Sequence, residues 1–122
     1  MNKISFEDML EQFTEFNFHD AVLQSVFFCY EEGNLKLSIK HYRITDEEEV
    51  SIDIKSHLDF HGVKNIRVDN VYETFFLCRS INSFEEKADE KSNRYYELMG
   101  ISGWTLKFEA EELYYSEVII DE

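Results

Sequence analysis

The stretch Phe16-Asn17-Phe18-His19-Asp20-Ala21-Val22-Leu23 decides the fold, because a helical pattern runs out within it and a strand pattern begins. Upstream, Phe6, Met9, Leu10, Phe13 and Phe16 recur at three- and four-residue spacing, with Glu7, Asp8, Glu11 and Glu15 between them. Residues 4–16 are therefore predicted to form an amphipathic helix with one Phe-rich face for a sheet. Ser5 stands where an N-cap belongs, Asp8 follows at capping-box spacing, and Ile4 can staple against Met9. Downstream, residues 21–31 carry apolar side chains in both alternating sets: Leu23, Phe27 and Cys29 in one, Val22, Val26, Phe28 and Tyr30 in the other. That is the pattern of an interior strand covered on both faces.

The strand pattern continues to the end of the chain. Gly33-Asn34 offers a tight reversal into Leu35, Leu37 and Ile39, which alternate with Lys36, Ser38 and Lys40, so a hairpin is expected. Beyond Asp46-Glu47-Glu48-Glu49, four carboxylates that only a solvated loop can hold, Val50, Ile52, Ile54, Leu58 and Phe60 alternate with Ser51, Asp53, Lys55, His57, Asp59 and His61. This is the clearest strand in the sequence. Gly62 turns it into residues 63–69, where Ile66 and Val68 can face the core. Residues 71–81 are rich in strand formers without a clean period and are expected to form a strand, and 83–93 read as an exposed charged loop. Residues 95–101, a Ser102-Gly103 turn and 104–110 form a second predicted hairpin, followed by a strand over 113–120. The class expected is α+β: one domain over residues 1–122, mainly antiparallel sheet, with the N-terminal helix packed on it.

The 122 residues include 26 acidic and 12 basic ones, for a formal net charge of -14. Such a field repels phosphate backbones and anionic lipid, which argues against nucleic-acid and membrane partners and favours a basic protein. Residues 1–8 lack the basic flank and apolar run of a signal peptide, and no apolar run reaches the ~20 residues of a membrane span, so a cytoplasmic protein is expected. Cys29 and Cys78 sit in apolar runs and read as small buried thiols, without a disulfide.

Few residues group as chemistry would require. His57, Asp59 and His61 share one strand face at ~7 Å intervals, but so do Ser51, Asp53 and Lys55, which makes a polar face and no metal site. His19-Asp20 is a junction candidate: the acid could orient the imidazole, yet adjacent strand residues point apart, and fixing the helix on the sheet is the plainer role. A Cys-His nucleophile pair would be hindered by apolar surroundings that raise a thiol pKa. No catalytic residue and no cofactor is assigned. Carboxylates and tyrosines suit a protein interface better, giving the candidate partner-binding set Asp46, Glu47, Glu48, Glu49, Glu111, Glu112, Tyr114 and Tyr115.

A short N-terminal helix, Phe18-His19-Asp20-Ala21 with Leu23 entering a strand, Gly33-Asn34 with Leu35-Lys36-Leu37, and Leu58-Asp59-Phe60-His61-Gly62-Val63 together resemble small uncharacterised bacterial proteins. Some of these are grouped with the immunity proteins of polymorphic toxin systems. The resemblance covers the first two thirds of the chain and implies binding rather than a reaction, with no catalytic residue to carry over. The function expected is a non-enzymatic, immunity-like domain that neutralises a basic toxin. The alternatives are a small-molecule or cation-binding domain, or a small enzyme using the histidines.

Overall fold

A computed structural model describes residues 1–13, 21–44, 51–70 and 78–120. Its elements are β1 (Asn2–Lys3), α1 (Phe6–Leu10), β2 (Val22–Cys29), β3 (Asn34–Ile44), β4 (Ser51–His61), β5 (Lys64–Asp69), β6 (Ile81–Ala88), β7 (Arg94–Gly100), β8 (Thr105–Glu109) and β9 (Glu112–Ile119). All the pairings between them are antiparallel. They form a five-stranded sheet in the order β1-β9-β4-β3-β2 and a four-stranded sheet in the order β5-β8-β7-β6.

One ribbon serves both sheets. β4 pairs with β9 as far as His61 opposite Glu112, and β5 resumes the same register with β8 at Lys64 opposite Glu109. Between them the ribbon bends at Gly62 (φ 66°) and at Ala110-Glu111, held by a 2.9 Å hydrogen bond from the Glu111 amide to the His61 carbonyl. Across the resulting layers lies a single core. Leu35, Leu37, Ile39, Leu58, Phe60 and Leu113 come from the larger sheet, and Phe84, Leu98, Leu106 and Phe108 from the smaller one. Phe60 stands at the centre, with ring centroids 4.7 Å from Phe108 and 6.2 Å from Phe84. The alternation of Leu35-Leu37-Ile39 and of Ile54-Leu58-Phe60 places these side chains inward, as period two requires.

Several expectations need correction. Among the described residues the helix spans only Phe6–Leu10, so the structure is mainly antiparallel β and only nominally α+β. Ser5 caps the helix as expected, with its hydroxyl accepting from the Asp8 amide at 3.1 Å. The Gln12 and Phe13 amides then reach only three residues back, to Met9 and Leu10, which tightens the last turn and stops the helix. β2 is not covered on both faces. Among the described residues it pairs along Val26–Cys29 with β3 alone, and Gln24 to Phe28 are all exposed. A bulge between Leu23 and Ser25 shifts its alternation, so Leu23, Val26 and Phe28 share the inward phase.

Residues 83–88 belong to β6 rather than to a loop, with Phe84 in the core. Val68 is exposed, and Cys29 and Cys78 are half-buried free thiols. The first hairpin turns through Tyr30-Glu31-Glu32-Gly33, with the Gly33 amide bonded to the Cys29 carbonyl at 3.0 Å. Among the described residues, no helix is long and apolar enough to cross a membrane.

Candidate functional site

Three groupings of polar side chains stand out, and the first lies against Gln12 and Phe13, just beyond the helix. His41 and Ser56 occupy apolar phases of β3 and β4, opposite neighbours that face the core, and both are enclosed. His41 Nε2 is 2.7 Å from Ser56 Oγ, which is 2.6 Å from the Tyr115 hydroxyl. That hydroxyl donates to Glu117 Oε2 at 3.0 Å, and Glu117 is gripped through both oxygens by Arg43 at 3.0 and 3.2 Å. Arg43 also donates to the Gln12 carbonyl at 2.7 Å, tying the end of the helical turn to the sheet.

The surroundings set the charge states of this chain of groups. Burial, helped by nearby Arg43, pushes His41 down to about 4, and burial pushes Tyr115 up to about 12. Hydrogen bonds from Arg43 hold the Glu117 carboxyl below its usual range. A serine 2.7 Å from an imidazole invites comparison with a nucleophile and its base. However, Ser56 has no exposed surface, and among the described residues His41 Nδ1 has no hydrogen-bond partner where a triad would place an orienting acid. With Phe13 stacked 4.3 Å from the His41 ring, the arrangement suits a buried polar anchor.

The second grouping lies on the outer face of the five-stranded sheet. Register sets Ser25, Ser38, His57 and Ser116 in one row across four strands, with Phe27, Lys36, Asp59 and Tyr114 in the next. His57 Nδ1 is 3.1 Å from Ser38 Oγ. His61 Nε2 lies 3.2 Å from Asp59 Oδ2, too poorly aligned for a hydrogen bond, and Asp59 Oδ1 has no partner among the described residues. His57, Asp59 and His61 thus share a face as the sequence suggests, but no group of three or more metal-ligating residues forms among the described residues.

The third grouping is an acid and aromatic end. The β2–β3 turn, the Gly62 corner and Glu111 converge there, because the Val63 amide bonds the Gly33 carbonyl at 2.9 Å and the Glu111 carboxylate lies against Gly62. Glu31, Glu32 and Glu111 are exposed there, as is Tyr30, which is 87% accessible and sits edge-on to Phe28 at 5.3 Å. Glu112 is close by, accepting from the Tyr114 hydroxyl at 2.9 Å and pairing with Lys3 at 3.6 Å.

The candidate partner-binding set is only partly brought together. Glu111, Glu112 and Tyr114 lie at or near this end. Tyr115 does not serve as contact surface: it alternates inward and is 8% exposed, with its hydroxyl committed to Ser56 and Glu117. Asp46, Glu47, Glu48 and Glu49 lie outside the described residues, and their flanks, Ile44 and Ser51, pair at the far end of the β3–β4 hairpin from Gly62. His19 and Asp20 also lie outside the described residues. Sequence reasoning passed over His41, Ser56, Glu31 and Glu32. A polar residue in the apolar phase of an amphipathic strand was the available signal for the first two. No protein-family model matches the chain, and no curated protein or solved structure matches it either.

Proposed function

We propose that this protein is a non-enzymatic binding domain that captures a cationic protein on its acid and aromatic end. The supporting observation is the exposure of Tyr30, Phe28, Glu31, Glu32 and Glu111 at one end of a chain of net charge -14. An aromatic anchor ringed by carboxylates gives a basic partner contact area together with fast, steered association. The resemblance to immunity proteins makes the concrete form of this reading the neutralisation of a basic toxin in the cytoplasm.

The test is co-expression with the product of the adjacent reading frame, scored by cell survival, with association rates measured by stopped flow. Replacing Glu31, Glu32 and Glu111 by Gln should slow association at low salt and flatten its salt dependence, while Tyr30→Ala should speed dissociation. A toxic neighbour neutralised equally well by all these variants would refute the assignment of this end, and a harmless, non-binding neighbour would refute the immunity reading.

A further inference from the structure

The outer face of the five-stranded sheet carries a cleft of ≈340 Å³, lined among others by Ser25, Phe27, Lys36, Ser38, His57 and Asp59. It is separate from the acid and aromatic end, and its lining has an unusual chemical balance. The row Ser25-Ser38-His57-Ser116 consists wholly of side chains that both donate and accept hydrogen bonds. The neighbouring row adds one cation, Lys36, directly opposite one anion, Asp59. It also adds the ring of Phe27, which is 60% exposed, at the edge strand. Strand spacing of ~4.8 Å makes each four-residue row about 14 Å long, with the rows ~7 Å apart.

A cationic ligand would meet Lys36, and an anionic one would meet Asp59 and the field of the whole chain. A ligand of hydroxyl groups meets neither objection, because each hydroxyl can donate to Asp59 or accept from Lys36 and can do both with the serines and His57. Asp59 lines the cleft, and its Oδ1 is enclosed without a hydrogen-bond partner among the described residues. Phe27 supplies a flat apolar surface for the C–H face of a sugar ring. We infer that this face is a binding site for a neutral saccharide of one or two pyranose rings, seated on Phe27 and hydrogen-bonded to Lys36, Ser38, His57 and Asp59.

The test is amide NMR of the full chain titrated to about 50 mM with methyl glucoside, methyl galactoside, N-acetylglucosamine, maltose and cellobiose, and separately with arginine and citrate. At least one saccharide should give saturable shifts centred on residues 25–27, 36–38 and 57–59. Phe27→Ala should weaken it about tenfold or more, and Ser38→Ala should weaken it measurably. Both substitutions are outside the core, so folding can be verified from the remaining spectrum. Tyr30→Ala should leave saccharide binding unchanged, which separates this site from the protein-binding end. Shifts that survive Phe27→Ala, no saturable shift with any of the sugars, or tighter binding of arginine or citrate at these residues would overturn the inference.

Discussion

Acidification from pH 7 to pH 5 should destabilise this protein by a measurable amount that traces to His41. The imidazole is 4% exposed, bonded through Nε2 to Ser56 and stacked under Phe13. Burial first, and Arg43 second, bring its folded-state pKa to about 4, whereas an unfolded chain titrates near 6.5. Below pH 6.5 the unfolded state therefore binds the extra proton. The stabilisation from keeping His41 neutral is complete above that pH and is lost progressively as pH falls towards 4.

The slope approaches ~1.4 kcal/mol per pH unit, and the whole effect is on the order of 3 kcal/mol, of which about half or more should appear by pH 5. Urea unfolding at pH 7, 6 and 5 measures it, with His41→Gln as the reference because an amide can bond Ser56 without titrating. The other histidines are common to both proteins and cancel in the difference. The depressed carboxyls of Glu97 and Glu117 lose their contribution only at lower pH, as they protonate below their unfolded range. Equal pH slopes for the two proteins would refute the claim that His41 is held neutral by enclosure.

Ile54→Asp puts a carboxylate at a fully buried position of β4 and should cost on the order of 3 kcal/mol or more, whereas Ser51→Asp, exposed on the same strand, should leave the melting temperature nearly unchanged. Equal melting temperatures would mean that the strand faces the other way. Gly100→Ala should be severely destabilising, read as a large drop in the urea midpoint, because a Cβ there would lie 2.0 Å from the Trp104 ring. Wild-type stability in that variant would show that the Trp104 ring does not pack on this glycine.

The parts of the fold that could be read were those in which the two-residue period runs unbroken. β3 and β4 pair in one register along their length, so Leu35, Leu37, Leu58 and Phe60 announce their face directly. Elsewhere bulges break the period. The shift between Ile81 and Ser83 separates Ile81 from Phe84 by an odd count, and together with Glu85-Glu86-Lys87 it makes a strand look like a loop. Those charges are accommodated by pairing across strands: Lys87 and Lys107 reach the enclosed carboxylate of Glu97 at 2.7 and 3.1 Å. The apolar character of β2 was visible, but its place at the side of the larger sheet depends on pairings made by distant residues. The same limit hid the acid and aromatic end, since the β2–β3 turn and Glu111 reach one end of the molecule through the Gly62 corner and the contact of Val63 with Gly33.

The order β1-β9-β4 also constrains how the chain reaches this state. β9, which follows the other eight strands in sequence, sits between β1 and β4, with Tyr114 and Tyr115 paired to Lys3 and Asn2 on one side and to Asp59 and Leu58 on the other. During synthesis, β2, β3 and β4 can form their meander, but β4 keeps an open edge until residues 112–119 emerge. Closure then requires contacts across most of the sequence, which makes it slow compared with hairpin formation. The meander without β9 is therefore the species exposed to mispairing with other chains.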